Sequence, residues 1–163
     1  DRRSLDVAAD MRRRVEVFAL LQEELFERGE KLGFARFLEE LVAIVVNGYG
    51  EEASRVSLEV ELPELEVTDR ELLYCGLVIN EALTNAFKYA VPGVRSPRIT
   101  VTGGAEEKRR FVRVSDNGPG LPRETNGRER ASFGLTFLRS LSDSDGWQME
   151  IDGSDGTTVE FTF

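Results

Sequence analysis

The chain has 163 residues, 40% hydrophobic and 31% charged, with a formal net charge of −9 and no histidine, long enough for one packed domain and a short appendage. The acidic balance excludes a face built for nucleic acid, which needs clustered positive charge, and the lack of histidine excludes a histidine-based triad, histidine metal ligands or a phosphohistidine within these residues. The longest apolar runs, such as Leu41 to Val46, stop short of the roughly 18–20 residues of a membrane span, and no secretory signal pattern is present, so the fragment is expected to be soluble with no direct membrane contact.

From Leu5 to Arg28 there is neither Gly nor Pro, and Ala8, Met11, Val15, Phe18 and Leu25 follow the period of a helix with one narrow apolar seam. Such a seam suits pairing with another helix or packing on the chain's own domain. Because Asp1 opens in the middle of this pattern, the natural protein is expected to continue upstream. Gly29 and Gly33 close the first helix. A second amphipathic helix follows through Phe34, Phe37, Leu38, Leu41, Val42 and Val45, ended by Gly48 and Gly50.

Val56, Leu58, Val60 and Leu62 alternate as a half-buried strand before Pro63. Thr68, with Glu71 three residues later, forms a capping box that opens a helix through Leu72, Leu77, Val78, Ala82 and Ala86 to about Ala90, where Pro92 and Gly93 break it. Cys75, the single cysteine, lies within this apolar stretch and reads as a buried, inert thiol.

Arg98–Thr102 and Arg110–Ser115 alternate as two strands, predicting a hairpin turned at Gly103-Gly104. Asp116 to Pro122 is a glycine-rich turn, and Thr125 to Ala131 reads as a mobile loop. A short helix over Phe133–Leu141 and strands over Trp147–Ile151 and Thr157–Phe163, joined at Ser154-Asp155-Gly156, complete the chain. Helices interspersed with hairpins predict an α+β domain of two layers, a mixed, mainly antiparallel sheet with helices on one face.

Three segments carry candidate chemistry. Helical spacing places Glu81, Asn85 and Lys88 on one face, a trio able to position a water, ligate a hydrated Mg²⁺ and neutralise a phosphate, or simply a solvated helix face. In V-S-D-N-G-P-G-L-P, a strand delivers Asp116 to its end before Gly118 and Gly120 let the backbone approach a flat ligand. A carboxylate there suits an exocyclic amine such as that of adenine, although Asp, Asn, Gly and Pro are also ordinary turn residues. Ser132-Phe133-Gly134-Leu135 opens a helix whose N–H groups suit phosphate, or is only a helix start.

Taken in order, these motifs resemble the GHKL ATPase superfamily of gyrase, heat-shock chaperone, mismatch-repair and histidine-kinase nucleotide domains, and the likeness is greatest to the histidine kinases. N-E-A-L-T-N-A-F-K-Y-A is similar to the family's N box, V-S-D-N-G-P-G-L-P to its first glycine box, S-F-G-L to its second, and D-G-T-T-V-E-F to its closing Gly-Thr box. R-V-E-V-F-A-L-L-Q-E-E-L-F, then F-A-R-F-L-E-E-L-V and Y-G, resembles the second dimerisation helix and linker of the histidine-kinase subfamily with an N-E-L-x-T-N-A type N box.

The resemblance implies a Bergerat-type ATP-binding domain over residues 31–163, preceded at 1–30 by the C-terminal part of a helical dimerisation region. It implies ATP and Mg²⁺ as cofactors. Asn85 would ligate the metal, Asp116 accept from adenine, Gly118 and Gly120 shape the pocket floor, and Thr157 support adenine through a water. Leu121, Gly134, Leu135 and Gly156 complete the implied nucleotide contacts, with Lys88, Arg128 and Arg130 near the phosphates. Glu81 matches the position of a proposed general base. The second glycine box keeps only Gly134 of a fuller glycine pattern. The activity implied is a protein-histidine kinase acting on a histidine before Asp1, with a response-regulator receiver domain as partner, a homodimer through the helical region of the full-length protein, and a cytoplasmic location. The alternatives are a sigma-factor-sequestering serine kinase of the same superfamily and a non-catalytic module that keeps the fold.

Overall fold

A computed structural model describes residues 33–121 and 132–163, together with Arg12, Glu16, Val17, Ala19, Leu20 and Glu23. The seam residues Ala8, Met11, Val15, Phe18 and Leu25 and the loop with Arg128 and Arg130 lie outside the described residues. Of the first helix, Arg12, Glu16, Val17, Ala19 and Leu20 are helical. Val17 is buried in the hydrophobic core, with Leu20 packed against that core.

Helix α1 (Phe34–Asn47) buries the row the sequence marks, Phe34, Phe37, Leu38, Leu41, Val42 and Val45. Its N-cap Gly33 offers no side chain. The Glu64 carboxylate takes over, accepting from Ala35 N at 3.2 Å, and so provides both an acceptor and a negative charge at the helix start. A short helix α2 (Glu51–Ser54) leads to strand β1 (Ser57–Glu61).

Helix α3 (Asp69–Asn85) opens on the expected capping box: Thr68 Oγ1 accepts from Glu71 N, and Glu71 Oε2 accepts from Thr68 N. Glu71 also receives both terminal nitrogens of Arg110, at 2.7 and 3.2 Å. Arg110 further donates to the Glu66 carbonyl and lies 5.0 Å from the Phe163 ring centroid. One ion pair therefore ties the start of the central helix to β3 (Arg109–Asp116) and the chain's last residue. Burial pushes the neighbouring Cys75 thiol well above its ordinary pKa, which keeps it protonated and inert.

Below Asn85 the helix changes pitch. Ala86–Ala90 forms a π-helical turn in which Val91 N donates to the Ala86 carbonyl, and a 3-10 turn over Val91–Gly93 follows. The single helix expected to run to Ala90 is thus an α-helix ending in a widened turn. Tyr49 stacks on Phe87 of that turn, ring centroids 4.1 Å apart and 7° from parallel, and so joins it to the end of α1.

Strands β1, β2 (Arg98–Glu106), β3, β4 (Gln148–Asp152) and β5 (Thr157–Thr162) form one sheet in the order β1-β2-β3-β5-β4. Only β1 and β2 are parallel, as expected for strands joined through the crossover helix α3. The expected turn at Gly103-Gly104 is corrected: β2 continues to Glu106, and the chain reverses at Glu107-Lys108, with Glu107 at φ +55°. Both glycines sit inside the strand for packing reasons. A Cβ on Gly104 would stand 2.9 Å from the Phe111 ring, and one on Gly103 3.0 Å from a Leu62 methyl and 3.3 Å from the Phe111 carbonyl.

Ile99, Val101, Val112, Val114, Met149, Val159 and Phe161 point inward and meet Leu72, Val78, Ile79 and Leu83 of α3 and Leu135 and Leu138 of α4 (Phe133–Ser144) in one core. The alternate residues Thr100, Thr102, Ser115, Thr158 and Thr162 are less buried and polar. The domain is the expected two-layer α+β sandwich, a mixed, mainly antiparallel sheet with helices on one face.

Candidate nucleotide site

Asp116 belongs to the inward row of β3, two residues beyond Val114, where the core gives way to the end of the sheet. Its Oδ1 accepts from Gly118 N at 2.8 Å and from Thr157 N at 3.1 Å. Oδ2 makes no hydrogen bond among the described residues. Burial pushes the carboxyl above its ordinary pKa, and the two N–H groups pull it part of the way back. One oxygen of this half-buried carboxyl is thus fixed by two backbone N–H groups, and the other has no partner among the described residues. Asn117 secures the loop beside it, accepting from Arg98 N at 2.7 Å and donating to the Ser96 carbonyl at 3.0 Å.

The glycines around Asp116 permit backbone contacts that a side chain would forbid. Gly156 has φ +68°, and a Cβ there would overlap the Asp116 carbonyl oxygen; Gly120, at φ +79°, would overlap the Gly153 carbonyl. Gly118 is held against the π-helical turn, where a Cβ would stand 2.7 Å from Ala90 Cα, and Gly153 lies under Leu121. The two glycine loops and the end of the N-box helix thus close on one another around a single carboxylate.

Glu81 and Asn85, one turn apart on α3, face the start of α4. Asn85 Nδ2 donates to Ser132 Oγ at 3.0 Å, and Ser132 Oγ also accepts from Leu135 N at 3.2 Å as the helix N-cap. A Cβ on Gly134 would overlap the Glu81 carboxylate, so glycine at that position lets α4 settle onto a buried Glu81. Leu135 is buried in the core and anchors the other side of that first turn. Lys88 is exposed on the π-helical turn that follows Asn85.

The structure therefore forms two groups from the residues the sequence singled out: Asp116 with Gly118, Gly120, Leu121, Gly156 and Thr157, and Glu81 and Asn85 with Gly134 and Leu135. Gly118 packs on Ala90, in the π-helical turn that continues from Asn85, and so links the two through the helix end. Ser132, Asn117 and Gly153 have parts in this arrangement that sequence reasoning did not give them. Ser132 was readable as an N-cap; its second bond, to a side chain 47 residues away, left no local signal.

Among the described residues no group of three or more His, Cys, Asp or Glu side chains is placed to hold a metal. A Mg²⁺ ion that keeps waters and phosphate oxygens would need few protein ligands. The half-buried Asn85 amide, one turn beyond the buried Glu81, would be an oxygen donor to such an ion.

A two-layer sandwich in which one strand end, two glycine loops and a helix converge is the Bergerat-type ATP-binding fold. The chain belongs to the family of histidine kinase-, DNA gyrase B- and HSP90-like ATPases, which it matches over residues 68–163. No curated protein matches it by sequence. Among solved structures, the histidine kinase domain of the blue-light activated histidine kinase of Erythrobacter litoralis EL346 is 21% identical, with a TM-score of 0.78, covering 94% of this chain and 74% of that one. A longer structure of that kinase is 22% identical at TM-score 0.73, and the chain spans 52% of its length. Histidine kinase AdeS of Acinetobacter baumannii is 14% identical at TM-score 0.57, covering 91% and 75%. The chain is thus a histidine-kinase-like ATP-binding domain in fold, and among the described residues no helix is long and apolar enough to cross a membrane.

Proposed function

We propose that the chain is the catalytic domain of a two-component sensor histidine kinase of the subfamily with an N-E-L-x-T-N-A type N box. It would transfer the γ-phosphoryl group of Mg-ATP to a histidine outside these residues, and from there to an aspartate on a receiver domain. The observation that carries this is the state of Asp116: one oxygen held by Gly118 and Thr157 N–H, the other without a protein partner among the described residues, at a strand end where glycines let two loops and the N-box helix pack closely on one another. Adenine presents an amine to such an oxygen, and guanine a carbonyl that it would repel.

Asn85 would hold Mg²⁺, which when bound neutralises charge on the β- and γ-phosphates. The chain's own share is positioning: Asp116 fixes the base, Thr157 supports it through a water, Lys88 and the loop arginines Arg128 and Arg130 meet phosphate, and the N–H groups opening α4 lie at the phosphate end. Glu81 takes the general-base position. Residues 1–30 would form part of a dimerisation region in a cytoplasmic portion of the full protein.

A longer protein that includes the proposed acceptor histidine, incubated with γ-labelled Mg-ATP, is expected to carry label that survives base and is lost in acid, whereas these 163 residues alone, which hold no histidine, are expected to bind nucleotide without acquiring such label. Acid-stable phosphoserine, on this chain or on an added partner, would replace the reading by the serine-kinase one. Failure to bind adenine nucleotides at all would remove both.

A further inference from the structure

The hydroxyl of Ser132 joins two elements that the ATPase reading uses separately. A serine oxygen has two acceptor lone pairs and one proton to give. Here both lone pairs are engaged, one by Leu135 N at the start of α4 and one by Asn85 Nδ2. The amide of Asn85 can point only one way while that second bond holds. Its NH₂ is turned to Ser132, and its Oδ1 is turned from it.

We infer that Ser132 is a positioning residue for the magnesium of Mg-nucleotide: by holding Asn85 Nδ2, it presents Asn85 Oδ1 as a ready-oriented metal ligand. The inference rests on the reading of Asn85 as the Mg²⁺ ligand. An asparagine amide is nearly symmetric in shape, and rotated by half a turn it would offer two N–H donors to a cation. Fixing its orientation before the metal arrives removes that choice, the preorganisation that metal sites obtain from groups behind their ligands. The same oxygen caps α4, so the segment opening with the second glycine box is fastened to the N box through the metal ligand itself.

A cap alone and a cap that orients Asn85 differ in one measurable respect. Glycine replaces serine at an N-cap at a cost of only a few tenths of a kcal/mol, so Ser132→Gly keeps the helix start and removes the hydroxyl. Ser132→Thr keeps both. ADP binding is measured by calorimetry in EDTA and in MgCl₂ for wild type, S132G, S132T and Asn85→Ala, and the quantity read is the factor by which Mg²⁺ strengthens binding. The expected result is a Mg²⁺ factor abolished in N85A, lowered about 5-fold in S132G, as loss of one ordinary hydrogen bond implies, and restored in S132T. If N85A abolishes the factor while S132G keeps it, or loses affinity equally with and without metal, Ser132 is a cap and nothing more, and the inference falls while the ATPase reading stands. If wild type binds ADP with no Mg²⁺ factor, or N85A leaves it intact, the reading of Asn85 fails and the inference with it.

Discussion

Replacing Asp116 by asparagine separates adenine recognition from turn-making, because the two side chains have the same shape. The asparagine would keep an oxygen for Gly118 N and Thr157 N, which lie 2.8 and 3.1 Å from Oδ1 in the wild type, so the loop should keep its geometry. Where Oδ2 now stands there would be an NH₂, which meets the adenine amine donor to donor. A hydrogen bond to a charged group contributes about 1.5–3 kcal/mol, so ATP and ADP affinity should fall roughly 10- to 150-fold. Stability should move the other way. Burial raises the folded-state pKa of this carboxyl above its unfolded value, so its favourable contribution belongs to low pH and is lost as pH rises through the folded pKa. At neutral pH the ionised group is a cost that a neutral amide removes. Calorimetry gives the affinities and urea unfolding the stability. Equal nucleotide affinity in wild type and D116N, with GTP bound as well as ATP, would refute adenine recognition by this residue.

Three further outcomes follow from the same geometry. Because burial raises this carboxyl above its ordinary value, the wild-type advantage over D116N in ADP affinity should shrink toward one as pH is lowered, before ordinary carboxylates protonate, since protonation removes the acceptor charge; a ratio that stays constant down through the ordinary carboxylate range would contradict this. Gly156→Ala should destabilise the domain by well over the ~1–3 kcal/mol of an unfavourable backbone conformation, because its Cβ would overlap the Asp116 carbonyl, whereas Gly146→Ala, at φ +74° with open space around it, should show only that conformational cost in urea midpoints. Arg110→Met should cost about 2 kcal/mol, below the ~3–5 of a fully buried pair, since the arginine side chain is still 31% exposed; Glu71→Gln in the same background should then recover part of the loss in thermal unfolding.

What could be read ahead of the structure was local. The buried row of α1 follows from the period of a helix, the start of α3 from Thr68 and Glu71 alone, and the place of Asp116 from an alternating strand that ends in glycines. What could not be read depends on partners distant in sequence. Gly103 and Gly104 resemble a turn until the Phe111 ring and the Leu62 side chain are seen where their side chains would be. Glu107, which does turn the chain, is a poor turn residue by type. The π-helical turn leaves no mark in N-A-F-K-Y-A, and the packing of Gly118 on Ala90 belongs to tertiary structure. Val17, outside the apolar seam, proves to be a core residue.

The two halves of the site differ in how they are held. Around Asp116 the restraints are backbone hydrogen bonds and glycine contacts at the ends of paired strands, elements that cannot yield without opening the sheet. Around Asn85 the corresponding restraint is a side-chain bond to Ser132, at the border of residues 122–131. On the proposed reading, the base meets a rigid partner and the phosphate–metal end meets one whose alignment rests on rotatable side chains. Removing a part of the first should therefore change affinity for every adenine compound, adenosine included. Removing a part of the second should change only the response to Mg²⁺ and phosphate. On the proposed reading, this division would keep nucleotide identity constant while the reacting end adjusts to an acceptor outside these residues.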